Sequence, residues 1–339
     1  MKRGCADLCR FFRWISLGGL VALLGACATA PRDAPCDGGE TQYVPWESLA
    51  PGLWVWRGAV AEISAANLGH VAPTSLFIDS GEAAVIDPGP SFRHAQRVRR
   101  SVECRFKARV RWVVNSHAHA ENVLGNAAFA DLLGAPHFDI VATPATLAGM
   151  TERCPACLAS LTARVGADEM TGTQIVLPTR LVAPGEWLAI GRQRLHVMAI
   201  EQGHTEGDLV LWNPAIRTLW AGGLVYLGRV PELSQGSLEG WLAALERLDS
   251  LAPQRVIATV VSEGSRAGEL PQAMRATRAY LMALRAGVLR AMDQGRQPQE
   301  AELVPLPAFA DWAGYAERHT FNVQRAWREL EPVWMDQGR

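Results

Sequence analysis

The sequence predicts an α/β protein in which two β-sheets are enclosed between helical layers. Short apolar strand patterns come in pairs and alternate with segments of helical period. The arrangement occurs in two similar halves, and in each half a strand runs straight into a histidine-bearing polar loop. Strand pairs alternating with helices bury both sheet faces, which makes layers rather than a barrel. The chain has 339 residues, 49% of them hydrophobic, enough for one large domain or two small ones with a substantial core. A formal net charge of −1, with no P-loop and no glycine-rich dinucleotide fingerprint, argues against nucleic-acid and nucleotide binding. The 12 tryptophans are scattered, so they read as core and pocket wall rather than as a base-stacking platform.

At the N-terminus, Lys2, Arg3, Arg10 and Arg13 precede an apolar stretch from Ile15 to Gly25 that is short for a membrane span. Leu24-Gly25-Ala26-Cys27 resembles a bacterial lipobox, which makes 1–26 a lipoprotein signal peptide and Cys27 the lipidated first residue. An ordinary signal peptide cut near Ala28-Thr29-Ala30 is the alternative; either way the chain is exported to the periplasmic side. Residues 27–43, rich in Pro, Gly and Asp, read as a tether, and 44–339 as the folded part. Four cysteines remain in an oxidising compartment: Cys36, Cys104, Cys154 and Cys157. Cys154-Pro155-Ala156-Cys157 fits a zinc half-site, a redox pair or a local structural disulfide, the last being the leading reading; Cys36 with Cys104 is a further option.

In chain order, Gly52 to Gly58 is a short strand, and Thr74–Asp79 and Ala83–Asp87 pair around the turn Ser80-Gly81-Glu82. Asp87-Pro88-Gly89 puts a carboxylate at a strand end, and Ser91 caps a helix running to Val102. The next strand, Val110 to Val114, delivers Asn115-Ser116-His117-Ala118-His119-Ala120-Glu121-Asn122, after which a helix begins. In the second half, strands over Arg194–Ile200, Leu209–Trp212 and Thr218–Ala221 surround Gly203-His204-Thr205-Glu206-Gly207-Asp208. Ser237 caps a helix with Leu238, Trp241, Leu242, Leu245 and Leu248 at helical spacing. A strand over Arg255–Val261 ends at Ser262-Glu263-Gly264, followed by helices over 269–294 and Asn322–Trp334.

Two imidazoles spaced i, i+2 just past a buried strand can turn toward one point above the sheet, as a metal-binding loop requires. The remaining histidines carry less. His94, His137 and His196 read as structural, and His70 as a surface residue that could reach a substrate. His319-Thr320-Phe321-Asn322 either approaches the site or caps the last helix.

Taken together, several ordered motifs resemble the metallo-β-lactamase fold superfamily, an αββα four-layer sandwich. They are Ala65-Ala66-Asn67-Leu68-Gly69, Val85-Ile86-Asp87-Pro88-Gly89, the His117/His119 loop, the His204 loop, Leu219-Trp220-Ala221-Gly222-Gly223-Leu224-Val225-Tyr226, Gly236-Ser237-Leu238-Glu239-Gly240-Trp241-Leu242, and Asn322 ahead of Ala326-Trp327-Arg328-Glu329-Leu330. Within it, the chain is most similar to the exported quinoprotein relay system zinc metallohydrolases. The resemblance implies one zinc on His117, His119 and His204, with Asp87 supporting the site and Asp208 fixing a loop. It also marks departures. Ala120-Glu121-Asn122 stands where the family has x-Asp-His, Gly223 where many members have a bridging aspartate, and Ser262-Glu263-Gly264 where they have a Pro-Gly-His-Gly turn. Glycine cannot bridge ions, so a second metal would have to rest on Glu121, Glu263 and Asn122, a set suited to a harder ion such as Mn²⁺. The expected chemistry is therefore a mononuclear zinc hydrolase, with water attacking an ester-, thioester- or lactam-like bond and Glu121 orienting it or acting as base. The alternative is a catalytically impaired binding or accessory protein of a periplasmic quinoprotein-type oxidation pathway, with a protein partner.

Overall fold

Burial alternates along the strands as the apolar pattern does. In β2 (Leu53–Trp56) Leu53 and Val55 are buried while Trp54 and Trp56 are half-buried. β2 lies between β1 (Glu47–Ala50) and β3 (Thr74–Asp79), and β3 turns through Ser80-Gly81 into β4 (Glu82–Ile86). The computed structural model describes residue 36, residues 43–258 and residues 270–336. The expected signal peptide, Cys27, Glu263 and most of the tether lie outside the described residues.

After β4, Ser91 caps α1 (Phe92–Arg100) by accepting from His94 N, and a π-helical turn (Ser101–Arg105) leads into β5 (Arg109–Val114). The pairing of β4 with β5 slips by one residue, from Ala83↔Val110 to Ala84↔Trp112. This bulge inserts Arg111 and changes the phase of β5, so that Val110 and Val113 face α1 while Trp112 and Val114 face the other sheet. Beyond β5 come α2 (Ala120–Val123), a 3₁₀ stretch (Leu124–Leu132), β6 (Asp139–Ala142), α3 (Pro144–Val165), α4 (Ala167–Met170) and β7 (Arg180–Leu181). β1 to β7 form one sheet in sequence order, antiparallel as far as β4 and parallel from there.

The second sheet has the order β12-β11-β10-β9-β8: β8 (Trp187–Ile190), β9 (Gln193–Ile200), β10 (Asp208–Asn213), β11 (Thr218–Trp220) and β12 (Arg255–Ile257). Its helices are α5 (Leu238–Asp249), α6 (Leu270–Asp293) and α7 (Tyr315–Asp336). The core is correspondingly layered. Phe77, Ile86 and Trp112 meet Leu195, Leu209 and Trp220 between the sheets. Outside the first sheet Leu76, Val85 and Val113 pack on Ala95 and Val98 of α1. Outside the second, Val210, Leu219 and Val256 pack on Leu245, Leu284 and Val323 of α5, α6 and α7. Helix, sheet, sheet and helix stack in the αββα order.

Several expectations need correcting. Cys154 and Cys157 are free thiols, not a disulfide. Both sit in regular α3, where Cys154 packs with Ala118, Val123 and Met150 while Cys157 lies against the cluster of Leu124 and Leu161. Cys36 and Cys104 are the disulfide-bonded ones. His70 is half-buried rather than exposed: its ring lies 4.3 Å from that of Trp56 and 4.6 Å from that of His94. The last helix begins at Tyr315, ahead of the expected Asn322. No helix of the described residues is long and apolar enough to cross a membrane.

Candidate metal centre

Sheet ends build the site. β5 stops at Val114 and its chain turns over the sheet edge, while Asp87, just past β4, donates its backbone N–H to Val114 O. Leu209 N, at the start of β10, donates to Ser116 O at 2.7 Å and so ties the two sheets together beside the histidines. His117, His119 and His204 come together with one ring nitrogen each, all within 4.8 Å of one another. Their ring planes are nearly perpendicular, at 69°, 78° and 85°. Facing nitrogens on crossed rings suit a single tetrahedral ion better than ring-to-ring packing.

The outward nitrogens are held from behind. Asp87 accepts from Ser116 N at 2.8 Å and from Ser116 Oγ at 2.7 Å, and that hydroxyl lies 2.8 Å from His117 Nδ1. His204 Nδ1 donates to Glu232 O at 2.9 Å, which leaves Nε2 facing His119 Nδ1 at 3.2 Å. Such outer partners fix which nitrogen is available to a metal. Burial keeps two of the imidazoles neutral: it takes His117 well below the ordinary range and His204 down to about 3. Neutral, oriented imidazoles are what a zinc ion needs, so the donor set fits it.

Asp87 reaches no ligand directly; it acts through Ser116. Its burial pushes the carboxyl up to about 6 despite the hydrogen bonds from Ser116. Asp208 holds the His204 loop by accepting from Thr205 N and, at 2.7 Å, from Thr205 Oγ1, as a loop-fixing carboxylate should. Gly223 lies against the His204 ring: a Cβ there would meet Cδ2 at 2.1 Å. The absence of a side chain at Gly223 thus leaves the space His204 occupies.

Glu121 sits 4.0 Å from His119 Nδ1 and borders a cleft of about 430 Å³ that opens beside the histidines. Asn122 turns the other way, toward a small cavity it shares with Asp87 and Trp220, where Asn122 Oδ1 and Trp220 Nε1 are buried without partners. Glu121 and Asn122 therefore face different cavities. Sequence reasoning missed Ser116, Arg229, Glu232 and Arg318. Ser116 stands inside the motif that was read only for its histidines, whereas the other three carry no local signal and reach the cleft through tertiary packing.

The metallo-β-lactamase superfamily model matches residues 68–259. The chain belongs to the metallo-β-lactamase superfamily. Solved structures agree on the fold. A metallo-β-lactamase from Pontibacter korlensis is 17% identical, with a TM-score of 0.53 over 70% of this chain and 98% of its own. A β-lactamase domain protein from Burkholderia ambifaria is 18% identical, with a TM-score of 0.57 over 86% and 88%. The sec-alkylsulfatase Pisa1 from Pseudomonas sp. is 16% identical, with a TM-score of 0.61 over 84% of this chain and 49% of its own. A search of curated proteins finds no match. His117, His119 and His204 all lie within the matched residues and meet at one point.

Proposed function

We propose that the protein is a mononuclear zinc hydrolase acting on an ester-, thioester- or lactam-like bond. The observation that carries this reading is the convergence of three imidazoles, two of them buried (His117 and His204) and oriented from behind by Ser116 and by the Glu232 carbonyl. Zinc held there would polarise a scissile carbonyl and lower the pKa of water to about 7. The chain's own contribution is positional. Asp87 and Ser116 hold His117, Asp208 and Gly223 hold His204 in place, and the Glu121 carboxylate faces the cleft where it can orient water and accept its proton. One ion rather than two is supported by the divergence of Glu121 from Asn122 and by Gly223.

His119→Ala is expected to abolish hydrolysis of an ester panel while the circular dichroism spectrum stays native; undiminished hydrolysis by that variant would refute the reading. Membership of the quinoprotein relay group, export and a lipid anchor on Cys27 belong to the same proposal, supported by the sequence motifs quoted above.

A further inference from the structure

We propose that the cleft beside the histidines contains an oxyanion subsite on Arg229, so that the substrate carries a carboxylate, sulfate or phosphate group as well as the bond to be cleaved. The inference deepens the hydrolase reading and rests on it only in calling the bound anion a substrate group.

Arg229 is 4% exposed and borders the cleft together with His119, Glu121 and Glu232. A buried guanidinium normally spends its five donors, because each donor left unmade in a low dielectric forfeits a charge-assisted bond. Arg229 has not done so. Its Nε has no partner, and its one side-chain bond to a carboxylate, from Nη2 to Glu62 Oε1, is stretched to 3.5 Å. Arg318, on the same cleft, shows the contrast. It donates to Glu62 through Nε at 2.9 Å and Nη2 at 2.7 Å, and through Nη1 to Glu232. Glu62 and Glu232 are therefore committed to Arg318, and Arg229 is the cation left under-bonded.

The backbone of Arg229 is fixed as well. Arg229 bridges Ala313, with Val230 N donating to Ala313 O at 3.0 Å and Ala313 N donating to Gly228 O at 2.9 Å. Arg164, exposed on α3, stands at the same cleft. A planar fork held rigidly beside the histidines matches the two oxygens of a carboxylate, sulfate or phosphate, and pairs with them more strongly than with a neutral acceptor.

The test is calorimetric titration of the metal-free full chain with inorganic sulfate, inorganic phosphate and succinate at constant ionic strength. At least one should bind with a stoichiometry of one, and Arg229→Gln should weaken that binding about 10- to 100-fold. Which anion binds tells a tetrahedral group from a planar one. If Arg229→Gln does not fold, Arg229→Lys, which keeps the charge but loses the fork, should weaken binding about 10-fold. Absence of binding by all three anions, or equal binding by a folded Arg229 variant, would overturn the subsite. Because metal-free protein is used, a failure of the hydrolase reading shows separately, in the ester assay.

Discussion

Ser116 carries more of the site than its size suggests. Its hydroxyl is the only described link between the buried Asp87 carboxylate and the His117 ring. Loss of such an outer partner typically lowers metal affinity 10- to 100-fold, so Ser116→Ala is expected to weaken zinc binding by that factor in a competitive chelator titration, with the fold retained. Gly223→Ala should do the same from the other side, because its Cβ would displace the His204 ring. His70 and His94 permit a pH argument away from the metal. Burial takes His70 down to about 4, and takes His94, stacked on Trp56 at 4.1 Å, well below the ordinary range. Groups whose pKa falls on folding bind fewer protons in the native state. Their stabilising contribution is therefore complete above pH 6.5 and is lost as the pH falls toward 4. Thermal unfolding of metal-free protein between these values should show this loss, and His70→Gln should reduce it. At this scale the clustering of the three histidines was legible because both loops announce themselves locally, next to strand ends. Arg229, Glu232 and Arg318 were not, since their meaning arises only when Glu62, 167 residues from Arg229 along the chain, joins them. The Cys154–Cys157 pair shows the converse: spacing alone suggested a bond that the helix does not make.

Among the elements, α5 and α7 brace the second half of the site. Ser237 caps α5, and Glu329 of α7 accepts from Ser237 Oγ, Leu238 N and Glu239 N. Gly240, one turn in, comes so close to Gln202 O that a Cβ would meet it at 2.0 Å, which seats α5 directly against the His204 loop. Asn322, also on α7, accepts from Leu233 N and donates to Pro231 O, fixing the segment that carries Glu232. The His319-to-Asn322 motif therefore supports the site without entering it. Glu329→Gln is expected to lower stability by about 1–2 kcal/mol, the usual worth of a helix cap, as read from the denaturant midpoint. Strands with clear alternation and helices with named caps were legible in the sequence. β1, β6, β7 and β8 were not, being only four, four, two and four residues long. α3, which runs through Pro155 for 22 residues, was not delimited in the sequence.

For the whole molecule, two sheets meeting at one edge place histidines from both halves of the chain at one point. That layering followed from the repeated strand–helix order, but the asymmetry of the cleft did not. The proposed lipid anchor is expected to hold the exported protein in the membrane fraction, and Cys27→Ala to release it on fractionation of cells. The most direct test of the central claim is metal content by mass spectrometry, on the soluble form beginning at Ala28 and on its His117→Ala/His204→Ala variant. One zinc per chain, lost in the variant, is the expected result. Two metals per chain, or none in the unaltered protein, would contradict a mononuclear tri-histidine centre.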